Sequence, residues 1–271
     1  MINREETIAR TAAVFNTASD YFDAPALSFW NRFGQQTIDR LSLRSGDRVL
    51  DVCCGTGASA IPAAVCVGST GQVLGIDIAE SLLQLARNKS QQQGLENIEF
   101  RYGDFENLGL PNESFDAIVC IFGIFFVPDM LAAIRELWRM VRPGGKLAIT
   151  SWGEKVFEPA NQAFWAAIEA ERPDLVRKFT PWDRIRDRAS LQALLEAGGA
   201  TQVEVFAEVG THALASPEDW WTIVLGGGFR GTIDRLDPAA KSRVRQANLH
   251  FLRTNEVHAL EVDVLYAIAQ K

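Results

Sequence analysis

Three histidines, four cysteines and three tyrosines in 271 residues leave little of the side-chain chemistry on which proton shuttles, metal sites and disulfide frameworks draw. Cys53, Cys54, Cys66 and Cys120 show no zinc-type spacing, and Cys53 and Cys54, adjacent on a strand, would point to opposite faces. They read as reduced, small, buried side chains, and no metal site is expected. Basic residues are also short, 27 against 34 acidic ones for a net charge of −7. No local run of Lys or Arg offsets this, which excludes a nucleic-acid-binding face. No apolar run reaches the ~20 residues of a membrane span, and the opening residues Met1 to Glu6 hold no apolar signal core. A cytoplasmic location is expected, and nothing here speaks to oligomeric state.

What is present is a rhythm. Ile8, Ala12, Phe15 and Ala18 recur at helical spacing until Asp20–Asp23, and a second helix with Trp30, Phe33, Thr37 and Leu41 on one side follows Pro25. From Asp47 the chain alternates strands and helices. The expected strands are 48–52, 71–77, 98–102, 115–122 and 146–152, the fourth nearly unbroken in apolar character and so buried on both faces. Five such units call for a doubly wound α/β sheet, with ligands bound beyond the carboxyl ends of its strands. Past Trp152 the pattern changes to aromatic- and proline-rich helical stretches, 153–184 and 216–254, around a sixth strand, 202–214, expected to be bulged, and before a last strand, 257–269. Ser216-Pro-Glu-Asp219 and Asp237-Pro238 are helix starts, the second helix carrying Ala240, Val244, Ala247 and Phe251 on one face. One domain, 1–271, is expected: a helical lid over 1–45, a core over 46–152, and the two stretches as a cap.

The chemistry gathers at strand ends. Val49-Leu-Asp-Val-Cys-Cys-Gly-Thr-Gly-Ala-Ser-Ala60 reads as strand, glycine turn and helix start, a unit that lets a ligand approach main chain closely. Gly55 to Ala60 fits the dinucleotide pattern G-x-G-x-x-A, and Asp77 follows about 20 residues on, where an NAD enzyme keeps its ribose acid. Two features oppose that reading. Asp51 stands immediately before the loop, unfavourable beside a pyrophosphate but suited to an ammonium or sulfonium group. Asp104, after another strand, could accept from an adenine amino group. A cationic nucleoside without phosphates accounts for all three carboxylates, although Asp51 could also simply cap the helix that follows.

The blocks Val49–Gly57, Gly75–Ala79, Arg101–Phe105, Ser114–Cys120 and Met140–Leu147, in this order, resemble a class I S-adenosylmethionine-dependent methyltransferase of the ubiquinone/menaquinone-biosynthesis-like (type 11) branch. The resemblance covers roughly residues 45–152. It implies a seven-stranded, mostly parallel Rossmann-like sheet and methylation of O, N or C on a small acceptor. It also assigns residues. Asp51, Gly55 and Gly57 would hold the amino-acid part of the cofactor, Asp77 the ribose, Ile78 the adenine face, and Asp104 with Phe105 its edge. Cys120 and Phe122 would line the methionine side, and Tyr21 would close a lid. Cys53 departs from the pattern, standing where the family has its first glycine.

Methyl transfer needs chiefly position and a dry site. No general base can be named among His212, His250, His258, Tyr21, Asp183 and Glu158. The aromatics of the cap and its neighbours, among them Trp30, Trp152, Phe157, Trp165, Trp182 and Phe229, suit an apolar or aromatic acceptor if a few of them face the cleft. An NAD(P)-dependent oxidoreductase and a non-catalytic S-adenosylmethionine-binding module remain the alternatives.

Overall fold

The computed structural model describes residues 4–176 and 179–271. Residues 1–3, in the expected lid, and 177 and 178, in the expected cap, lie outside the described residues. Seven strands form one sheet: β1 (Arg48–Val52), β2 (Gln72–Asp77), β3 (Ile98–Tyr102), β4 (Phe115–Ile121), β5 (Val141–Glu158), β6 (Glu204–Ala213) and β7 (Ala259–Gln270). Their order is β3-β2-β1-β4-β5-β7-β6. The first five are parallel, and β7 runs antiparallel between β5 and β6. Strand order reverses on either side of β1, between β2 and β4, which opens a crevice at the carboxyl edge there.

The alternation of side chains assigns each face its helices. Val49, Val73, Ala117, Val119 and Ala148 point to one side, against α2 (Phe29–Leu41), α3 (Ala60–Val67) and α4 (Glu80–Gln92). Leu50, Ile118, Leu147 and Ile149 point to the other, against α5 (Met130–Met140) and α7 (Arg188–Ala197). α1 (Arg4–Phe22), α6 (Ala160–Glu171), α8 (Pro217–Gly226) and α9 (Arg230–Ile233) contribute residues to the cleft at the strand ends, and α10 (Pro238–Thr254) packs on α6 and α8.

Local chemistry sets the helix ends. Asp129, Asp187 and Asp237 each accept a backbone N–H of the first turn, and Ser216 with Asp219 forms a capping box ahead of Pro217. Three expectations are corrected. The first helix does not break at Asp20 but runs through Phe22, because Tyr21 and Phe22 continue it until Pro25 forces a new turn. β6 pairs with β7 in unbroken register, and the register shifts fall in β5, against β4 at its start and against β7 beyond Trp152. On α10 the buried side is Ala240, Val244, Asn248, Leu249 and Leu252 instead of a stripe ending at Phe251. Asn248 turns inward because its Oδ1 accepts from Trp220 Nε1 at 2.8 Å.

Candidate functional site

The loop after β1 carries its own strain. Cys53 has φ 61° and Gly55 φ 53°, both left-handed. The position where the resembled pattern has glycine therefore needs glycine's conformation here too, and a side chain in that region costs roughly 1–3 kcal/mol. Phe122 (φ 54°), after β4, and Phe157 (φ 60°), in β5, share that geometry, and all three line one cleft.

Asp77 binds the loop to the second strand. Its Oδ2 accepts from the Gly55 N–H at 2.9 Å and its Oδ1 from the Ala79 N–H at 2.8 Å. Burial pushes its carboxyl up, while these N–H donors pull it down. Asp77 and Ile78 form part of the cleft lining. The Gly55 N–H is thereby spent on a carboxylate and is not left to cradle a phosphate.

Helix α1 is latched over this loop by residues that the sequence did not single out. Asp23 Oδ1 accepts from Thr56 Oγ1 at 2.7 Å and from Lys89 Nζ at 2.9 Å. Asn16 Oδ1 accepts from the Ser81 N–H, in the first turn of α4, at 2.9 Å. Phe22 stacks on Trp30 with ring centroids 5.4 Å apart and 6° between planes. Thr7 and Thr11, one turn apart on α1, face the cleft; their spacing was the available signal.

The cleft has a volume of about 690 Å³. One end is walled by Cys53, Cys54, Gly55, Ser59, Asp77 and Ile78. From there a narrow slot reaches Gly103, Asp104 and Phe105. The other end is aromatic: Phe122 stacks on Trp152 at 3.9 Å, with Trp30, Phe157, Trp165, Trp182 and Phe229 around them. Trp30 Nε1 and Asn161 Oδ1, on residues of this wall, are buried and have no hydrogen-bond partner among the described residues.

Not every expected site residue is at the cleft surface. Gly55, Asp77, Ile78, Asp104, Phe105 and Phe122 line it or its slot. Tyr21 does not: its side chain is 36 % exposed, and Phe22, one residue on, takes the inward direction. Gly57 is absent from the lining, since the space a Cβ would occupy there is held by Ile61 and Phe100, both at 3.1 Å. Cys120 is fully buried behind the wall, sharing a hydrogen bond with Cys53. Asp51 is also fully buried: Oδ2 accepts from Ser59 Oγ at 2.6 Å, the Ala60 N–H adds a bond at the start of α3, and Oδ1 is unpartnered among the described residues. Burial pushes its carboxyl up to about 7.

None of the six groups considered as a base lines the cleft among the described residues. His212 is buried with Nε2 2.8 Å from the Ala26 carbonyl oxygen, and desolvation lowers its pKa. His250 and His258 are exposed. Asp183 accepts from the Thr180 N–H, and Glu158 from Asn161 Nδ2. Trp220 and Trp221 are core. No helix among the described residues is long and apolar enough to cross a membrane.

Comparison with known proteins agrees with this layout. Aklanonic acid methyltransferase DauC of Streptomyces sp. (strain C5) is 35% identical over 180 residues, 62% of this chain and 82% of that protein. The ubiquinone/menaquinone biosynthesis C-methyltransferase UbiE of Escherichia coli is 30% identical over 224 residues, 76% of this chain and 88% of that protein. Among solved structures, the YcgJ protein of Bacillus subtilis shares the fold with a TM-score of 0.58 at 18% identity, covering 89% of this chain and 98% of that one. The phosphoethanolamine N-methyltransferase 2 of Haemonchus contortus, solved with S-adenosylhomocysteine, gives 0.61 at 15% identity over 100% of this chain and 60% of that one. The model of the ubiE/COQ5 methyltransferase family matches residues 5–175, and with this sheet order and these strand-end loops the chain belongs to that family.

Proposed function

We propose that this methyltransferase binds S-adenosylmethionine along the ends of β1, β2 and β3 and moves its methyl group to a small, largely apolar aromatic acceptor held at the other end of the cleft. The observation that carries the reading is the continuity of the two ends, a polar wall built on Gly55 and Asp77 opening into a chamber of stacked aromatics. The cofactor supplies a methyl group on a sulfonium, which leaves as the new bond to the acceptor forms. In this arrangement Asp77 accepts from the ribose hydroxyls and Ile78 packs on the adenine. Asp104 and Phe105 meet the adenine edge, and Gly55 lets the methionine part approach main chain. Asp51 acts from beneath, through Ser59, and its unpartnered oxygen fits a nearby cationic group. Phe122 and Trp152 exclude water from the reacting atoms. Tyr21, Gly57 and Cys120 have supporting places outside the contact surface.

The relatives named above act, by their names, on aklanonic acid and on ubiquinone or menaquinone precursors, which favours an oxygen-bearing aromatic acceptor here. Trp30 Nε1 as donor and Asn161 Oδ1 as acceptor are polar groups that could fix its orientation. A chamber of this size beside the cofactor wall is what a non-catalytic module would have no use for. Calorimetric titration with S-adenosylhomocysteine, NAD and NADP in parallel tests the reading. Micromolar binding of S-adenosylhomocysteine alone is expected, and binding of a dinucleotide in its place would overturn it.

A further inference from the structure

Two of the four cysteines touch at the end of β1. Cys53 shares a hydrogen bond with Cys120. A Cβ placed on Gly123 would lie 2.8 Å from Cys53 Sγ and 2.9 Å from Cys120 Sγ, so both sulfurs border one small space that this glycine leaves open. Cys120 is fully buried, whereas Cys53 is partly exposed and lines both the cleft and its slot. Neither thiol is used by the methyl transfer proposed above.

The backbone makes this contact. Val52 is in register with Cys120 on the neighbouring parallel strand β4, and Cys53 follows Val52. Were β1 to continue, Cys53 would point to the face opposite Cys120. Its left-handed φ of 61° breaks the alternation, so Cys53 packs with Cys120 on the α5 side of the sheet while Cys54 turns to the other. Strands about 4.8 Å apart, with about 3.3 Å per residue, put the two Cα atoms roughly 6 Å apart, inside the range that a disulfide spans. Glycine, which the resembled pattern has at this position, takes the left-handed conformation freely. The strained cysteine supplies one thing that glycine lacks, a sulfur beside Cys120 on an accessible wall.

Resting on the methyltransferase reading above, we infer that Cys53 and Cys120 form a reversible disulfide that weakens cofactor binding when it closes. The oxidant is a small-molecule disulfide that reaches Cys53 from the cleft. The Cys53 sulfur attacks one sulfur of that reagent, which forms a mixed disulfide and releases one thiol. Cys120 then attacks the Cys53 sulfur, and the second thiol leaves; each proton passes to a departing sulfur. The pair gives up two protons and two electrons, and the reagent ends as two thiols. Closure replaces a hydrogen bond by a covalent bond of about 2 Å and ties the loop after β1 to the loop after β4. These loops border the crevice where strand order reverses, and Gly55, held to Asp77 by its N–H, lies just beyond the cross-link. Closure therefore displaces the cofactor wall, and by linkage bound cofactor opposes oxidation.

The test uses the full chain carrying Cys66→Ala, which removes the exposed thiol. It is incubated overnight with glutathione disulfide, because burial and the shared hydrogen bond hold the Cys53 thiol well above its ordinary pKa and slow the exchange. Remaining thiols are then alkylated and tryptic peptides are weighed. A link between the peptides of Cys53 and Cys120 is expected, with no glutathione retained. Adding Cys120→Ala should instead trap glutathione on Cys53, and adding Cys53→Ala should give neither product. By calorimetry the oxidised chain should bind S-adenosylhomocysteine about tenfold more weakly than the reduced one, and dithiothreitol should restore it. Retained glutathione in place of the link, no reaction at Cys53, a link that forms without Cys53, or a link that leaves affinity unchanged overturns the inference and leaves the methyltransferase reading intact. Failure of the reduced chain to bind S-adenosylhomocysteine overturns both.

Discussion

Replacing Asp51 by Asn should make this protein more stable above neutral pH, by an amount that grows with pH inside a defined window. The carboxyl is fully buried and its Oδ1 is unpartnered among the described residues, and its only side-chain donor is Ser59 at 2.6 Å. Desolvation lifts it from an ordinary 3.8 to about 7, with a smaller push from Asp77. Between those two values the folded protein keeps the proton and the unfolded chain has lost it. Wild-type stability is therefore fully present below 3.8, falls as pH rises through the interval, and levels off above about 7. Each pH unit inside the window costs about 1.4 kcal/mol, so from about pH 5 to about pH 8 the wild type should lose about 3 kcal/mol relative to the variant. Asn cannot titrate, keeps the shape, and can still accept from Ser59. Urea unfolding of both proteins across this range, followed by tryptophan fluorescence, gives the difference directly. Two parallel stability curves would refute the reasoning. Saturating S-adenosylhomocysteine should narrow the gap, because its amino group would favour the ionised carboxylate.

Other substitutions probe other links. Asp77→Ala removes the acceptor for the Gly55 and Ala79 N–H groups as well as for the ribose, and should weaken S-adenosylhomocysteine binding about tenfold or more, ~1.4 kcal/mol; unchanged affinity by calorimetry would deny the residue its role. Cys53→Gly relieves a left-handed side chain and should stabilise by about 1 kcal/mol, raising Tm by roughly 2–4 °C. A lower Tm would mean that the thiol contact with Cys120 outweighs the strain. Gly34→Ala drives a methyl to 2.2 Å from the Ala58 carbonyl oxygen and should cost about 1–3 kcal/mol in urea unfolding while loosening cofactor binding through the loop; wild-type stability would show that α2 can slide.

Strand positions and strand-end motifs were legible because both are local. An apolar run such as Phe115–Ile121 and the acids and glycines that follow strands carry their meaning within a few residues. What the sequence hid was direction. Tyr21 and Phe22 are neighbours of similar character, and only the rotation of α1, set by the Asp23 and Asn16 latches, turns Phe22 inward. Asp51 was legible as an acid at the loop, but that Ser59 folds back over it depends on how α3 starts. Gly57 and Cys120 follow the family pattern and yet serve packing, because Ile61, Phe100 and Cys53 occupy the space around them. The chamber itself draws on α1, β5, α6 and α9, segments far apart in the chain, so spacing could not reveal it.

The place of β7 bears on how the chain comes off the ribosome. β5 is complete at Glu158, but its native neighbour begins only at Ala259, roughly a hundred residues later. At ordinary translation speed β5 presents an unpaired edge for about 5–20 seconds, while β6, synthesised in between, is the wrong neighbour for it. The nascent protein therefore holds the floor of its cofactor cleft before it can hold its own sheet together, and the interval before β7 arrives is when mispairing or capture by a chaperone would act on it.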